Sequence, residues 1–181
     1  KQDVADDQLW CDCEIDLHGV HFTERVHFGE ITCRWLNASG AHFHNYLNLG
    51  MSTFIESASF HGALFYDDVR FSGTRFQGFA NFNKANFRGC ATFSRAFFGG
   101  DAHFRGIKYE GGGCGIFGGA RFNVAYWHTD PPIFLVEPPG EFVSELPSGA
   151  GWADFSGESA LDVDEPEVWC RESRSRDKLQ G

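Results

Sequence analysis

Between residues 54 and 109 one inward-type aromatic follows another at alternating intervals of six and five: Phe54, Phe60, Phe65, Phe71, Phe76, Phe82, Phe87, Phe93, Phe98, Phe104 and Tyr109. Two positions before each stands a small or β-branched residue: Ser52, Ala58, Ala63, Val69, Thr74, Ala80, Ala85, Ala91, Ala96, Ala102 and Ile107. The phase extends upstream through Leu17, Phe22, Phe28 and Phe43, and downstream through Phe117 and Phe122. Self-similarity at a fixed period is the mark of a repeat architecture.

An eleven-residue period fits either a right-handed coiled coil or a β-solenoid. Glycine decides between them. Gly62, Gly73, Gly78, Gly89, Gly99, Gly100 and Gly106 lie inside the regular stretch, and each would cost a helix interior about 1 kcal/mol. In a strand, by contrast, positions i and i−2 share one side, and the Gly, Asn and Asp residues that follow suit corners. Five or six residues per face make a square coil of 22 residues. The coils set up four columns: Phe22, Phe43, Phe65, Phe87, Tyr109; Phe28, Leu49, Phe71, Phe93, Phe117; Cys33, Phe54, Phe76, Phe98, Phe122; and Leu17, Ala38 or Ser39, Phe60, Phe82, Phe104, Trp127. About five coils at ~4.8 Å each give a rod ~24 Å long. Two irregularities interrupt the beat: a shortening between Cys33 and Phe43, and a Gly-rich lengthening, read as a flexible corner bulge, between Tyr109 and Phe117. Residues 1–14 are expected to cap one open end, as a short helix, and 15–128 to form the rod. The Pro-rich, acidic segment 129–181 is expected to wrap the far end around Trp152 and Phe155, with 171–181 loose.

Segments such as Ala80-Asn81-Phe82-Asn83-Lys84, Ala85-Asn86-Phe87-Arg88-Gly89 and Ala102-His103-Phe104-Arg105-Gly106 resemble the pentapeptide-repeat family. The resemblance covers roughly residues 15–128. It implies an all-β, right-handed quadrilateral β-helix, with an added residue at alternate corners as in a Phe-rich subgroup. The best-known members bind DNA gyrase and are described as mimics of duplex DNA, so the resemblance also implies a type II topoisomerase as a partner.

Charge bears on that implication. The net charge is −10, but residues 15–128 carry eight acids against ten Lys and Arg, a balance of +2 with histidines neutral. A duplex ~24 Å long would present ~14 phosphates, which this rod does not imitate. The acids collect instead between 130 and 167, where ten Asp and Glu occur without a Lys or Arg; such runs are ordinarily solvated. The bases form no stripe and the rings point inward, away from any nucleobase, so direct nucleic-acid binding is not expected. No apolar run approaches the ~20 residues of a membrane span. The six cysteines, at 11, 13, 33, 90, 114 and 170, are too dispersed for a disulfide framework of the small secreted type; free thiols in a reducing, cytoplasmic setting are the expectation.

No Walker loop, G-x-S-x-G or Ser-His-Asp arrangement occurs, the adjacent Asp67 and Asp68 sit on a convex surface, and a rod filled with rings leaves no substrate cavity. The expectation is therefore a non-catalytic protein-interaction solenoid without a cofactor. Ile55 and Phe97 on the third face, with Leu64 and Tyr66 on the first, are expected to be exposed and to contact a protein partner; a homodimer through an end or the third face is compatible with this. One cluster suggests chemistry. His42 and His44 flank Phe43 and point outward, and His21 precedes Phe22 one coil earlier. Three imidazoles within ~5–7 Å by strand geometry form a candidate transition-metal site.

Overall fold

Inward rings every five or six residues leave room for only two or three extended residues per face, so the strands are short and their partners come from the coils above and below. The computed structural model describes residues 13–123, 134–136, 141–143 and 146–153. The first face is a parallel sheet of His21–Phe22, His42–Phe43, Leu64–Phe65, Asn86–Phe87 and Lys108–Tyr109. The second stacks Val26–His27, Leu47–Asn48, Val69–Arg70, Cys90–Thr92 and Cys114–Ile116. The third and fourth faces merge into one nine-stranded sheet, because Thr32–Asn37 and Thr53–Ser59 run unbroken around the corner between them. The result is a β-solenoid of about five turns.

The interior is solid. Phe43, Phe54, Phe60, Phe65, Phe71, Phe76, Phe82, Phe87, Phe93, Phe98, Phe104 and Phe122 are all fully buried. Within a column the rings lie nearly parallel at the pitch of the backbone: Phe22 to Phe43 is 5.1 Å, Phe43 to Phe65 5.3 Å and Phe65 to Phe87 4.9 Å between centroids. Between columns they meet edge to face. Phe60, Phe71, Phe82 and Phe93 zigzag along the axis at 5.1, 5.3 and 5.2 Å, with interplanar angles of 77°, 86° and 89°. That alternation brings the positive ring edge onto the negative face. The small residue two positions earlier admits the ring; Ala58, Ala63, Ala80, Ala85, Ala91 and Ala96 are wholly buried. Ser52 and Thr74 occupy the same role, and their hydroxyls donate to the Phe28 and Leu49 carbonyls at 2.8 and 2.7 Å, so burial leaves neither unsatisfied.

The alternating spacing has a backbone cause. At the five-residue corners the second residue after the inward side chain is left-handed. Gly19, Gly40, Gly62, Lys84 and Gly106 line one edge of the rod, and Glu30, Met51, Gly73, Arg95 and Gly119 another. Each is a tight turn, as where the Ala63 amide donates to the Phe60 carbonyl at 3.0 Å. At the six-residue corners successive coils press together instead: a Cβ at Gly78 would run into the Glu56 carbonyl.

Register resolves the irregular places. Cys33 pairs with Phe54 and Trp35 with Ser57, so the missing residue falls at Arg34, which faces both Ile55 and Glu56. Ala38, not Ser39, therefore enters the fourth column, and it is buried. The Gly-rich lengthening inserts two residues: Phe87 pairs with Tyr109, but Cys90 pairs with Cys114. Phe117 accordingly stacks on Phe93 at 4.6 Å. Cys90 and Cys114 form a disulfide, their Cα atoms 4.5 Å apart, which departs from the expectation of free thiols. Cys13 and Cys33 are not disulfide-bonded; their thiols interact with each other, and burial first, then Cys13, pushes the Cys33 pKa up to about 12.

At the N-terminal end Glu14–Asp16 is already a strand, paired with Trp35–Asn37; of the cap expected over residues 1–14, residues 1–12 lie outside the described residues. At the far end Gly151–Ala153 pairs in parallel with Arg121–Asn123, placing Trp152 6.2 Å from Phe122. Phe134–Val136 and Glu141–Val143 form an antiparallel hairpin. Trp127, Phe155 and 171–181 lie outside the described residues.

Candidate functional site

Because side chains alternate across a strand, the residues flanking each ring of the first face project outward. Repetition stacks them into two ladders. One runs His21, His42, Leu64, Asn86, Lys108, the Cα register of the sheet. The other runs His44, Tyr66, Arg88, Glu110, the residues that follow Phe43, Phe65, Phe87 and Tyr109.

The second ladder is a chain of contacts. His44 stacks on Tyr66 at 4.6 Å and 7°. The Arg88 guanidinium sits 4.7 Å over the Tyr66 ring, a cation–π arrangement. Arg88 also meets Glu110 at 3.8 Å. Glu110 in turn accepts a hydrogen bond from Asn86 Nδ2 at 2.9 Å.

The two ladders converge at the histidines. His21 and His42 stack at 4.0 Å; His44 lies 6.0 Å from His21 and 6.3 Å from His42. One ring nitrogen from each lies within 4.8 Å of the other two. Backbone hydrogen bonds hold the strands in place, His42 N to Val20 O at 2.8 Å and His44 N to Phe22 O at 2.9 Å. His21 and His44 are exposed and His42 is half-buried. Partial burial, together with the His21 and His44 imidazoles, pushes the His42 pKa below its ordinary value. Among the described residues no hydrogen bond occupies the ring nitrogens of these three side chains. The sequence-derived trio thus comes together with the register intact, since the missing residue at Arg34 falls between Phe28 and Ala38 and not beside the cluster.

The expected exposure of Ile55, Leu64, Tyr66 and Phe97 does not hold: all four are half-buried. The cause is the neighbouring coil. Tyr66 is sandwiched between His44 and Arg88, Leu64 stands between His42 and Asn86, and Arg75 sits 4.8 Å over the Phe97 ring. Ile55 faces the Arg34 irregularity on the third face. Among the described residues the large apolar side chains most open to solvent are Met51 at 63%, Ile116 at 44% and Val20 at 39%. Met51 could have been found from its spacing, because it falls on a left-handed corner, outside the inward phase. It borders a shallow recess lined also by His27, Gly29, Glu30, Asn48 and Arg70.

Comparison with known proteins bears on the rod itself. A family model described as pentapeptide repeats (9 copies) matches residues 38–85 and 71–114. No curated protein and no solved structure matches the chain.

Proposed function

Because the chain belongs to the pentapeptide-repeat family through residues 38–114, we propose that it is a non-catalytic interaction scaffold that binds a protein partner through its first face. The observation that carries this reading is the His44–Tyr66–Arg88 ladder. It presents an aromatic ring and a guanidinium, the groups enriched at binding hot spots, already held in place by their neighbours and so with less entropy to lose on binding. A single face, ~24 Å along the rod and ~10 Å across three extended residues, offers roughly 250 Å². A stable complex needs about 800 Å² per partner. At about three faces' worth of area, the partner therefore has to cover both adjoining faces as well as the first.

The charge pattern argues against duplex mimicry. The ten bases and eight acids of residues 15–128 are interleaved, with Arg34 between Glu14 and Glu56 and Arg88 beside Glu110. The test is affinity capture followed by quantitative binding of the recovered partner. Tyr66→Ala and Arg88→Ala are expected to weaken binding at least tenfold, and Arg95→Ala, at a different corner, to leave it unchanged. Equal binding by all variants would overturn the first-face reading. A parallel gyrase supercoiling assay is expected to show no effect; inhibition at micromolar protein would favour the topoisomerase reading.

A further inference from the structure

We propose that His21, His42 and His44 form a binding site for a divalent transition-metal ion of the zinc class, with one coordination position open to solvent. The proposal is independent of the scaffold reading, since it needs no partner.

The argument begins with the backbone. Parallel pairing sets His21 directly opposite His42, and strand alternation sets His44 on the same outer side as His42. The three ring nitrogens already lie within 4.8 Å of one another. A tetrahedral ion with bonds of about 2.0–2.1 Å to nitrogen needs its donors roughly 3.3–3.4 Å apart. Closing that gap requires rotation of side chains that stand at the surface, with no change in the coil beneath. His21 and His44 are exposed, and among the described residues nothing hydrogen-bonds the ring nitrogens of the trio, so no structural bond has to be broken.

Chemistry then selects the ion. Three neutral imidazoles suit zinc, copper or nickel, whereas calcium and magnesium demand oxygen donors. Three protein ligands on a convex surface leave the fourth tetrahedral position to water or to an incoming donor, as in open zinc sites. Tyr66, stacked on His44 at 4.6 Å, limits that ring's freedom on one side, so the site is pre-organised at His44 and adjustable at His21. The other histidines of the rod lack this arrangement: His21, His42 and His44 are the one such group found among the described residues.

The test is competitive zinc titration against a chromophoric chelator, using the tag-free chain with Cys11, Cys13 and Cys170 replaced by serine; Cys33 is left in place because it is wholly buried. The expected result is one equivalent of Zn²⁺ bound. His42→Ala, which removes the donor next to both others, should weaken binding at least tenfold, while His61→Ala should leave it unchanged. The melting temperature provides a second readout: a saturating ion stabilises whatever state it binds, so zinc should raise it in the wild type and not in His42→Ala. Absence of a binding equivalent, or the same affinity in His42→Ala as in the wild type, would overturn the proposal. A lost first-face partner with intact zinc binding would fault the scaffold reading alone.

Discussion

Replacing Phe82 by alanine removes the ring that sits at the meeting point of the zigzag. Phe82 stacks on Phe60 and Phe104, each at 5.0 Å, and receives or gives ring edges to Phe71, Phe93 and Phe76 at 5.3, 5.2 and 5.6 Å. It is wholly buried. Deleting a ring of this kind costs about 3–5 kcal/mol, the lost transfer energy plus the cavity left behind, and the strand ladder limits how far the coils can collapse into the void. Phe22, in the first coil, is half-buried and stacks on Phe43; the same truncation there should cost roughly half as much. For an ordered unit of this size each kcal/mol moves the midpoint by several degrees. Calorimetry should therefore show Phe82→Ala melting roughly 12–20 °C below the wild type, and Phe22→Ala about 5–10 °C below it. Phe82→Leu, which keeps most of the volume and loses the edge-to-face geometry, should fall between Phe82→Ala and the wild type. Equal shifts for Phe82→Ala and Phe22→Ala, or a Phe82→Ala cost under about 1 kcal/mol, would refute the interlocked-column reasoning.

Other outcomes follow from the corners and the outer face. Gly62→Ala, at φ 64° with open space where the Cβ would stand, should destabilise by about 1 kcal/mol from backbone strain alone, measured by denaturant midpoint. Thr74→Val removes the buried bond to the Leu49 carbonyl and should cost about 1 kcal/mol in the same assay. The His42 imidazole, held below its ordinary pKa by partial burial and then by its two neighbours, should titrate below the ordinary imidazole value in an NMR titration of the metal-free protein. Its folded pKa lies below the unfolded one, so the unfolded state takes up the proton first. Stability is unaffected well above about pH 6.5 and declines as pH falls through the histidine range.

The interior was readable in advance because a solenoid repeats one decision. Parity assigns each residue inward or outward, and the ring spacing places the corners; Phe71, Phe82 and Phe93 needed nothing more. The outer surface obeys a further rule that parity does not contain. An outward side chain is flanked by its counterparts about 4.8 Å above and below, so Tyr66 and Phe97 are shielded by Arg88 and Arg75 while formally facing water. The histidine trio was readable because both of its relations, cross-coil and next-but-one, are fixed by parity and period. The Cys90–Cys114 pair was hidden by the Gly-rich insertion. Its signal was nevertheless present: both cysteines stand three residues before a ring of the second column, Phe93 and Phe117. The position of the missing residue at Arg34 had no such marker, because Trp35, Leu36 and Ala38 fit the small-then-large alternation in either phase.

The stacking of parallel coils is tested most directly by the disulfide connectivity of gently oxidised protein, mapped by mass spectrometry of tryptic peptides. Coils in the register described place Cys90 across from Cys114, so the account predicts that the peptides 89–95 and 109–121 are recovered as one linked species that separates on reduction. Recovery of Cys90 joined to Cys13 or Cys33, or of both peptides unlinked after oxidation, would contradict it.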